Sequence, residues 1–240
     1  PFELQFQGDD FLAHCIAAAQ KASVPVTIHL DHGSEIGQIY RAIRDGFTSV
    51  MIDASHASME DNIAICKKVV EIAHPLGISV EGELGTIGTV GNDTEGGTGE
   101  IIYTKPEDAV RFVQETGVDT LAIAIGTAHG IYPKGFKPEL KLDLLKEIKS
   151  KVHVPLVLHG GSANPDSEIA ESVRLGINKI NISSDIKDAF YQQLRLDLAA
   201  DPKVREPFEL YLGSIDAMKK VINQKIDLFQ DADQAQYYRL

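Results

Sequence analysis

The sequence predicts an α/β fold, a (β/α)8 TIM barrel with its first βα unit missing ahead of Pro1. Three observations carry that prediction. Short apolar runs rich in β-branched residues alternate with longer segments of helical period. Several helical segments end in Gly directly before the next apolar run. Nearly every apolar run then finishes in ionisable or small polar residues.

The elements follow in order. Residues 24–30, 47–52, 78–84, 120–125, 154–158 and 177–182 read as strands, and residues 2–6 would make a seventh. Amphipathic segments at 58–73, 106–116, 140–151 and 165–175 read as helices, the last opening on Asn164-Pro165 with Glu168 in its first turn. Asp45-Gly46-Phe47, Leu76-Gly77-Ile78, Thr116-Gly117-Val118 and Leu175-Gly176-Ile177 mark helix-to-strand joints, because Gly takes the left-handed conformation that ends a helix. Strands alternating with helices and apolar on both faces make a parallel sheet. A closed barrel gathers its strand ends on one rim, whereas an open sheet spreads them along a crevice. The polar ends Asp31-His32, Asp53, Glu81 and Glu83, His129, 159–162 and 181–184 favour the rim. No linker or low-complexity stretch divides the chain. Residues 1–240 read as one N-terminally incomplete barrel domain, with 86–104 as an active-site lid loop.

Composition narrows the partners. Of 240 residues, 43% are hydrophobic and the net charge is −12, which argues against nucleic acid. A small site can still be locally positive and accept a phosphorylated substrate. No apolar run reaches the roughly 20 residues a membrane span requires, and the first residues do not read as a charged-then-apolar leader. The two cysteines, Cys15 and Cys66, are expected to be buried free thiols in a reducing cytoplasm.

Three histidines follow apolar runs: His32 in Leu30-Asp31-His32-Gly33, His129 in Ala128-His129-Gly130 and His159 in Leu158-His159-Gly160-Gly161. Three imidazoles with open positions for water or substrate form a common catalytic Zn²⁺ arrangement. A lone strand-end histidine is more often an ordinary hydrogen-bonded residue, but three, each beside a Gly, point to ligation. His14, His74 and His153 lie in helical or connecting segments, and His29 and His56 lack the Gly context, so none of these is expected to bind metal. Asp31 adjoins a ligand and is placed for proton transfer or for orienting an imidazole. Glu81 and Glu83, two apart on one strand, face the same side, and with Asp53 they suggest a second cation position or a neutralised hydrogen-bond network. Gly160-Gly161-Ser162 and Asn181-Ile182-Ser183-Ser184 each lead into a helical segment, where backbone N–H groups and hydroxyls make an anion site. In the lid, Asp93, Glu95 and Glu100 are the candidates for a mobile base.

These motifs, with Met51-Ile52-Asp53, Glu81-Gly82-Glu83-Leu84-Gly85 and Ile125-Gly126-Thr127-Ala128-His129-Gly130, resemble the class II fructose- and tagatose-bisphosphate aldolases from about Phe11 to Phe229. The resemblance implies a cytoplasmic, homo-oligomeric (dimeric or tetrameric) lyase that splits a ketose 1-phosphate or 1,6-bisphosphate into dihydroxyacetone phosphate and an aldehyde. It implies that His32, His129 and His159 bind one catalytic zinc and that Glu83 and Asp53 offer a secondary position for a monovalent or divalent cation. Asp31 would shuttle the proton on the C4 oxygen. Gly130, Gly160, Ser162, Asn181 and Ser184, with their neighbours Gly161 and Ser183, would hold the phosphate. Two segments depart from the family pattern. The lid carries Gly88-Thr89-Val90-Gly91-Asn92-Asp93 in place of the usual Gly-Gly-x-Glu-Asp. The distal-phosphate segment reads Tyr211-Leu212-Gly213-Ser214 where an Arg commonly precedes the Gly, and Ser183 stands where many fructose-specific members have an acid. Other readings are a metal-dependent sugar-phosphate epimerase or hydrolase on the same barrel, a class I aldolase using Lys179, and a non-catalytic sugar-phosphate sensor.

Overall fold

The structure, a computed structural model, describes residues 2–89, 101–132 and 138–238. Helix α1 (Phe2–Lys21), broken at Gly8, leads into strand β1 (His29–Gly33) and helix α2 (Ile36–Arg44). There follow β2 (Ser49–Ile52), α3 (Met59–Ala73), β3 (Ser79–Leu84), the short β4 (Gly88–Thr89), α4 (Pro106–Thr116) and β5 (Thr120–Ile123). The chain continues through β6 (Ala128–His129), α5 (Leu142–Lys151), β7 (Leu156–Leu158), α6 (Asp166–Arg174) and β8 (Ile177–Ile180). It ends in α7 (Ser184–Ala200) and α8 (Pro207–Phe229), which pack mainly on each other.

Six strands form one parallel sheet in the order β1-β2-β3-β5-β7-β8. Asn181, just beyond β8, donates from Nδ2 to Asp31 Oδ1 on β1 at 3.0 Å, and Lys179 Nζ lies 3.4 Å from His29 Nε2. The two end strands therefore face one another, and the sheet curls into part of a (β/α)8 barrel. Residues 2–6 are helical, which corrects the seventh strand read from the sequence. Strand β1 begins at His29 rather than at residue 24, because Pro25 has no N–H for the ladder and Val24 and Val26 stay exposed.

The strand period sorts the side chains. Leu30, Val50, Ile52, Val80, Leu121, Ile123, Leu156 and Leu158 join the core beneath the helices. The alternate positions turn inward: His29 and Asp31, Met51 and Asp53, Glu81 and Glu83, Val157 and His159, Lys179 and Asn181. Gly82, between the two glutamates, faces outward, where an added Cβ would lie 2.9 Å from the ring of the fully buried Phe112 on α4. Burying such a ring stabilises the fold by about 1.5–3 kcal/mol, so this contact fixes β3 and thereby both carboxylates. Helix α3 is set locally: the Ser58 hydroxyl accepts from Asp61 N–H at 3.1 Å, a cap typically worth about 1 kcal/mol. Gly77 and Gly117 reverse the chain into β3 and β5 at φ 70° and 71°, as their positions in the sequence suggest. Cys66 is buried and Cys15 half-buried, both as free thiols. Among the described residues no helix is long and apolar enough to cross a membrane.

Candidate metal centre

The three histidines reach one point from three directions. His32 sits on β1 where its register against β2 shifts, with φ at +48°, in the left-handed region that non-glycine residues seldom adopt. That bulge turns His32 into the same interior as Asp31, its neighbour in sequence. Its backbone N–H contacts Met51 Sδ at 3.4 Å. Gly33 permits the bend, since a Cβ there would meet Met51 O at 2.6 Å. His129 does not end β5. It lies on the rim strand β6, held by parallel pairing with β4 and by the Ala128 N–H donating to the Tyr132 hydroxyl at 2.8 Å. His159 follows β7, and Gly160 at φ +60° allows the backbone to approach Ala128 more closely than a Cβ would permit.

His32 and His159 ring centroids lie 4.6 Å apart, His32 and His129 5.1 Å, and His129 and His159 6.2 Å. Ligand atoms of all three fall within 4.8 Å of one another. The outer nitrogens are taken: His32 Nδ1 is 3.0 Å from Asp53 Oδ2, and His159 Nε2 is 2.8 Å from Glu81 Oε1. When these nitrogens donate to their carboxylates, His32 Nε2 and His159 Nδ1 present lone pairs to each other across 2.8 Å. That contact is stable only with a cation or a proton between them. Burial would lower the His32 pKa, but its bond to Asp53 and the charges of Asp31 and Glu83 raise it to about 9. Glu83 Oε2 is buried without a hydrogen-bond partner, 4.0 Å from His32 Nδ1 and 3.9 Å from His159 Nδ1. Three imidazoles and a spare buried carboxylate fit a divalent metal.

Asp53 is held below the ordinary carboxylate range. Burial opposes this, but His32 and the Ser55 hydroxyl and N–H, at 2.7 and 3.1 Å, outweigh it. Asp31 is also lowered: against burial stand the imidazoles of His159 and His32 and the ammonium of Lys179. A second cluster, His29, Asp31 and Glu81, is as compact as the first. Glu81 accepts from Lys179 Nζ at 2.9 and 3.2 Å and from the Thr120 hydroxyl at 3.2 Å. Burial and Lys179 push His29 down to about 4, so it stays neutral. Sequence reasoning set His29 aside and considered Lys179 only as a nucleophile; here its ammonium is committed to Glu81. The signal was available, since His29/Asp31, Glu81/Glu83 and Lys179/Asn181 are polar residues at strand spacing in otherwise apolar runs.

The two segments expected to hold an anion meet at the start of α7. Ser162 Oγ accepts from the backbone N–H groups of Ser183 and Asp185, each at 3.3 Å, at the start of α7. Asp185 Oδ1 accepts from Ala163 N–H at 3.0 Å, and Lys225 Nζ lies 2.9 Å from Asp185 Oδ2. Gly160, Gly161, Ser162, Asn181, Ser183 and Ser184 thus lie together beside His159, and Gly130 follows His129. Of residues 86–104, expected to form a lid loop, the structure describes the two ends, where Thr86 and Ile102 pair and Ala124 N–H donates to Thr104 Oγ1 at 2.8 Å. Asp93, Glu95 and Glu100 lie outside the described residues. Leu212 is exposed on α8.

The fold is thus a partial parallel barrel that carries at its rim three histidines able to hold a metal ion. Residues 2–234 match the family described as "Fructose-bisphosphate aldolase class-II", and the chain belongs to it. The aldolases of this family are lyases that use a divalent metal. The structure is similar to the YdjI aldolase from Escherichia coli K12, with 36% identity and a TM-score of 0.80 over 95% of this chain and 78% of that one. It is similar to an inferred fructose-1,6-bisphosphate aldolase from Coccidioides immitis, with 28% identity and a TM-score of 0.88 over 99% and 83%. It shares its fold with a fructose-bisphosphate aldolase from Campylobacter jejuni, at 24% identity and a TM-score of 0.71 over 92% and 75%.

Proposed function

We propose that the chain is a zinc-dependent aldolase that reversibly cleaves a ketose 1-phosphate or 1,6-bisphosphate into dihydroxyacetone phosphate and an aldehyde. The observation that supports this most is the pair of imidazole nitrogens facing each other at 2.8 Å beside Glu83 Oε2, a buried oxygen that accepts no hydrogen bond. His32, His129 and His159 hold the ion, and Asp53 and Glu83 offer a second cation position. When bound, the ion supplies Lewis acidity toward a substrate carbonyl. Asp31, ionised and oriented by Asn181, takes and returns the proton on the substrate C4 oxygen. The backbone and hydroxyl donors of Gly130, Gly160, Gly161, Ser162, Asn181, Ser183 and Ser184 bind the phosphate of the dihydroxyacetone phosphate half. A lid carboxylate from Asp93, Glu95 or Glu100 serves the carbon being protonated.

The test is incubation of zinc-loaded protein with dihydroxyacetone phosphate and a panel of aldehydes, with detection of C–C adducts. Chelation is expected to abolish the reaction and Zn²⁺ or Co²⁺ to restore it. Full activity of metal-free protein, or turnover of sugar phosphates without a triose phosphate product, would overturn the proposal. Leu212 supplies no charge to a distal phosphate, and a charge-assisted bond of that kind is worth about 1.5–3 kcal/mol. Bisphosphates should therefore gain nothing from their second phosphate. Ketose 1-phosphates are expected to equal or exceed matched 1,6-bisphosphates in kcat/KM, and a tenfold preference for the bisphosphate would show another cation in that role.

A further inference from the structure

We infer that Lys179 is a positioning residue for the metal centre: it serves as the protein's own cation in the second histidine–carboxylate cluster and holds Glu81 so that Glu81 sets the ring of His159. The inference rests on reading the three histidines as a metal site. His29, Asp31 and Glu81 bring ligand atoms within 4.8 Å of one another, as the three histidines do. The place an ion would take is filled by the Lys179 ammonium, 2.9 and 3.2 Å from the two Glu81 oxygens and 3.4 Å from His29 Nε2. An ammonium has three N–H donors, and these are its three acceptors. His29 can accept because its other nitrogen lies 2.8 Å from Ser49 Oγ.

Glu81 is thereby saturated. Oε1 faces Lys179 and His159, while Oε2 faces Lys179 and Thr120. A carboxylate has about four acceptor sites and, once ionised, no donor. The proton of the neutral His159 ring must then sit on Nε2, which leaves Nδ1 as the lone pair turned toward His32 and the centre. The aim of Oε1 depends on Lys179, because Glu81 is almost wholly buried and Thr120 holds only the other oxygen. Without the ammonium, the carboxyl loses two of its bonds and its compensating charge, and His159 loses the fixed acceptor that sets its tautomer. Supporting carboxylates of this kind typically change metal affinity by about 10–100-fold.

The experiment titrates Co²⁺ into wild-type protein and into the Lys179→Met, Lys179→Gln and Lys179→Arg variants. The d–d absorption reads the site, a competing chelator reads the affinity, and circular dichroism verifies the fold. The expected result is a loss of about 10–100-fold in the Met and Gln variants. Lys179→Arg, which keeps charge and donors, is expected to stay close to wild type. Wild-type affinity in the neutral variants would overturn the inference, as would equal losses in all three, which would mean that shape alone is required. Lys179→Gln retains one donor for Glu81 and covers the case in which Lys179→Met fails to fold. Should neither neutral variant fold, ¹⁵N shifts of the His159 ring in metal-free wild type decide. Protonation at Nε2 supports the inference, and protonation at Nδ1 overturns it. Failure of wild type to bind Co²⁺ at all would instead remove the metal reading, and the ring shifts would still report on Lys179 and Glu81.

Discussion

Glu81 and Glu83 stand two residues apart on β3, face the same interior and are almost equally buried, at 1% and 2% exposure. Their carboxyls are nevertheless driven in opposite directions. Burial would raise Glu81, but its bond to His159 and the ammonium of Lys179 bring it below the ordinary carboxylate range. Burial raises Glu83, the neighbouring carboxylates Asp53, Glu81 and Asp31 raise it further, and His32 opposes them without prevailing. Burial therefore does not decide the state of these residues; partners do. One cluster carries its own cation. The other is short of positive charge, and a metal ion would supply it.

The largest expected effect lies where the clusters meet. Asp31 contacts Asn181 and approaches His29, which places it with the Lys179 cluster, while its neighbour in sequence is His32, the ligand proposed above. Asp31→Ala is predicted to lower kcat by roughly 10²–10⁴, the usual scale for a positioned acid–base group, with metal content unchanged. Metal analysis alongside kinetics checks this, and parallel loss of zinc would reassign Asp31 to support of the ligands.

A smaller effect separates the two glutamates directly. In metal-free protein at neutral pH, Glu81→Gln is predicted to lower Tm by roughly 4–8 °C. Breaking a buried pair costs about 3–5 kcal/mol, reduced because Lys179 is one-third exposed, at about 2–4 °C per kcal/mol. Glu83→Gln, which mimics the protonated form, is predicted to raise Tm by roughly 2–4 °C. The same sign for both variants would break the comparison.

The smallest effect is in the pH dependence of metal-free stability. Glu83 has a raised folded pKa, so the folded state keeps a proton that the unfolded chain releases near 4.5, and stability falls as pH rises beyond that value. Glu81 has a lowered one, so its contribution is present above 4.5 and is lost as pH falls through its folded value. His29, lowered from 6.5 to about 4, adds to the acid-side loss across that interval. Melting curves across this range should flatten on the alkaline side in Glu83→Gln and on the acid side in Glu81→Gln.

Much of the scaffold was legible because its signals are local. The left-handed glycines at helix ends, the Ser58 cap and the period-two placement of Glu81 and Glu83 depend on neighbours a few residues away. Residues 2–6 were misread as a strand for the same reason, since a short apolar run does not by itself separate helix from strand. His29 and Lys179 escaped because their roles exist only in each other's presence, 150 residues apart in the chain.

The sequence by itself determined the polar residues that follow most of the strands, which face of each strand is polar, and that three glycine-flanked histidines are available. Strand period and glycine conformation are properties of short segments, and they need no fold to act. Only the tertiary structure decided how those residues share one interior. The curl of the sheet sets Lys179 against Glu81, the bulge at His32 turns two consecutive residues into one space, and the pairing of β4 with β6 carries His129 beyond its strand to the rim. Each of these contacts joins segments distant in sequence, and buried charge makes their arrangement specific, because a carboxylate removed from water is stable only where a particular partner reaches it.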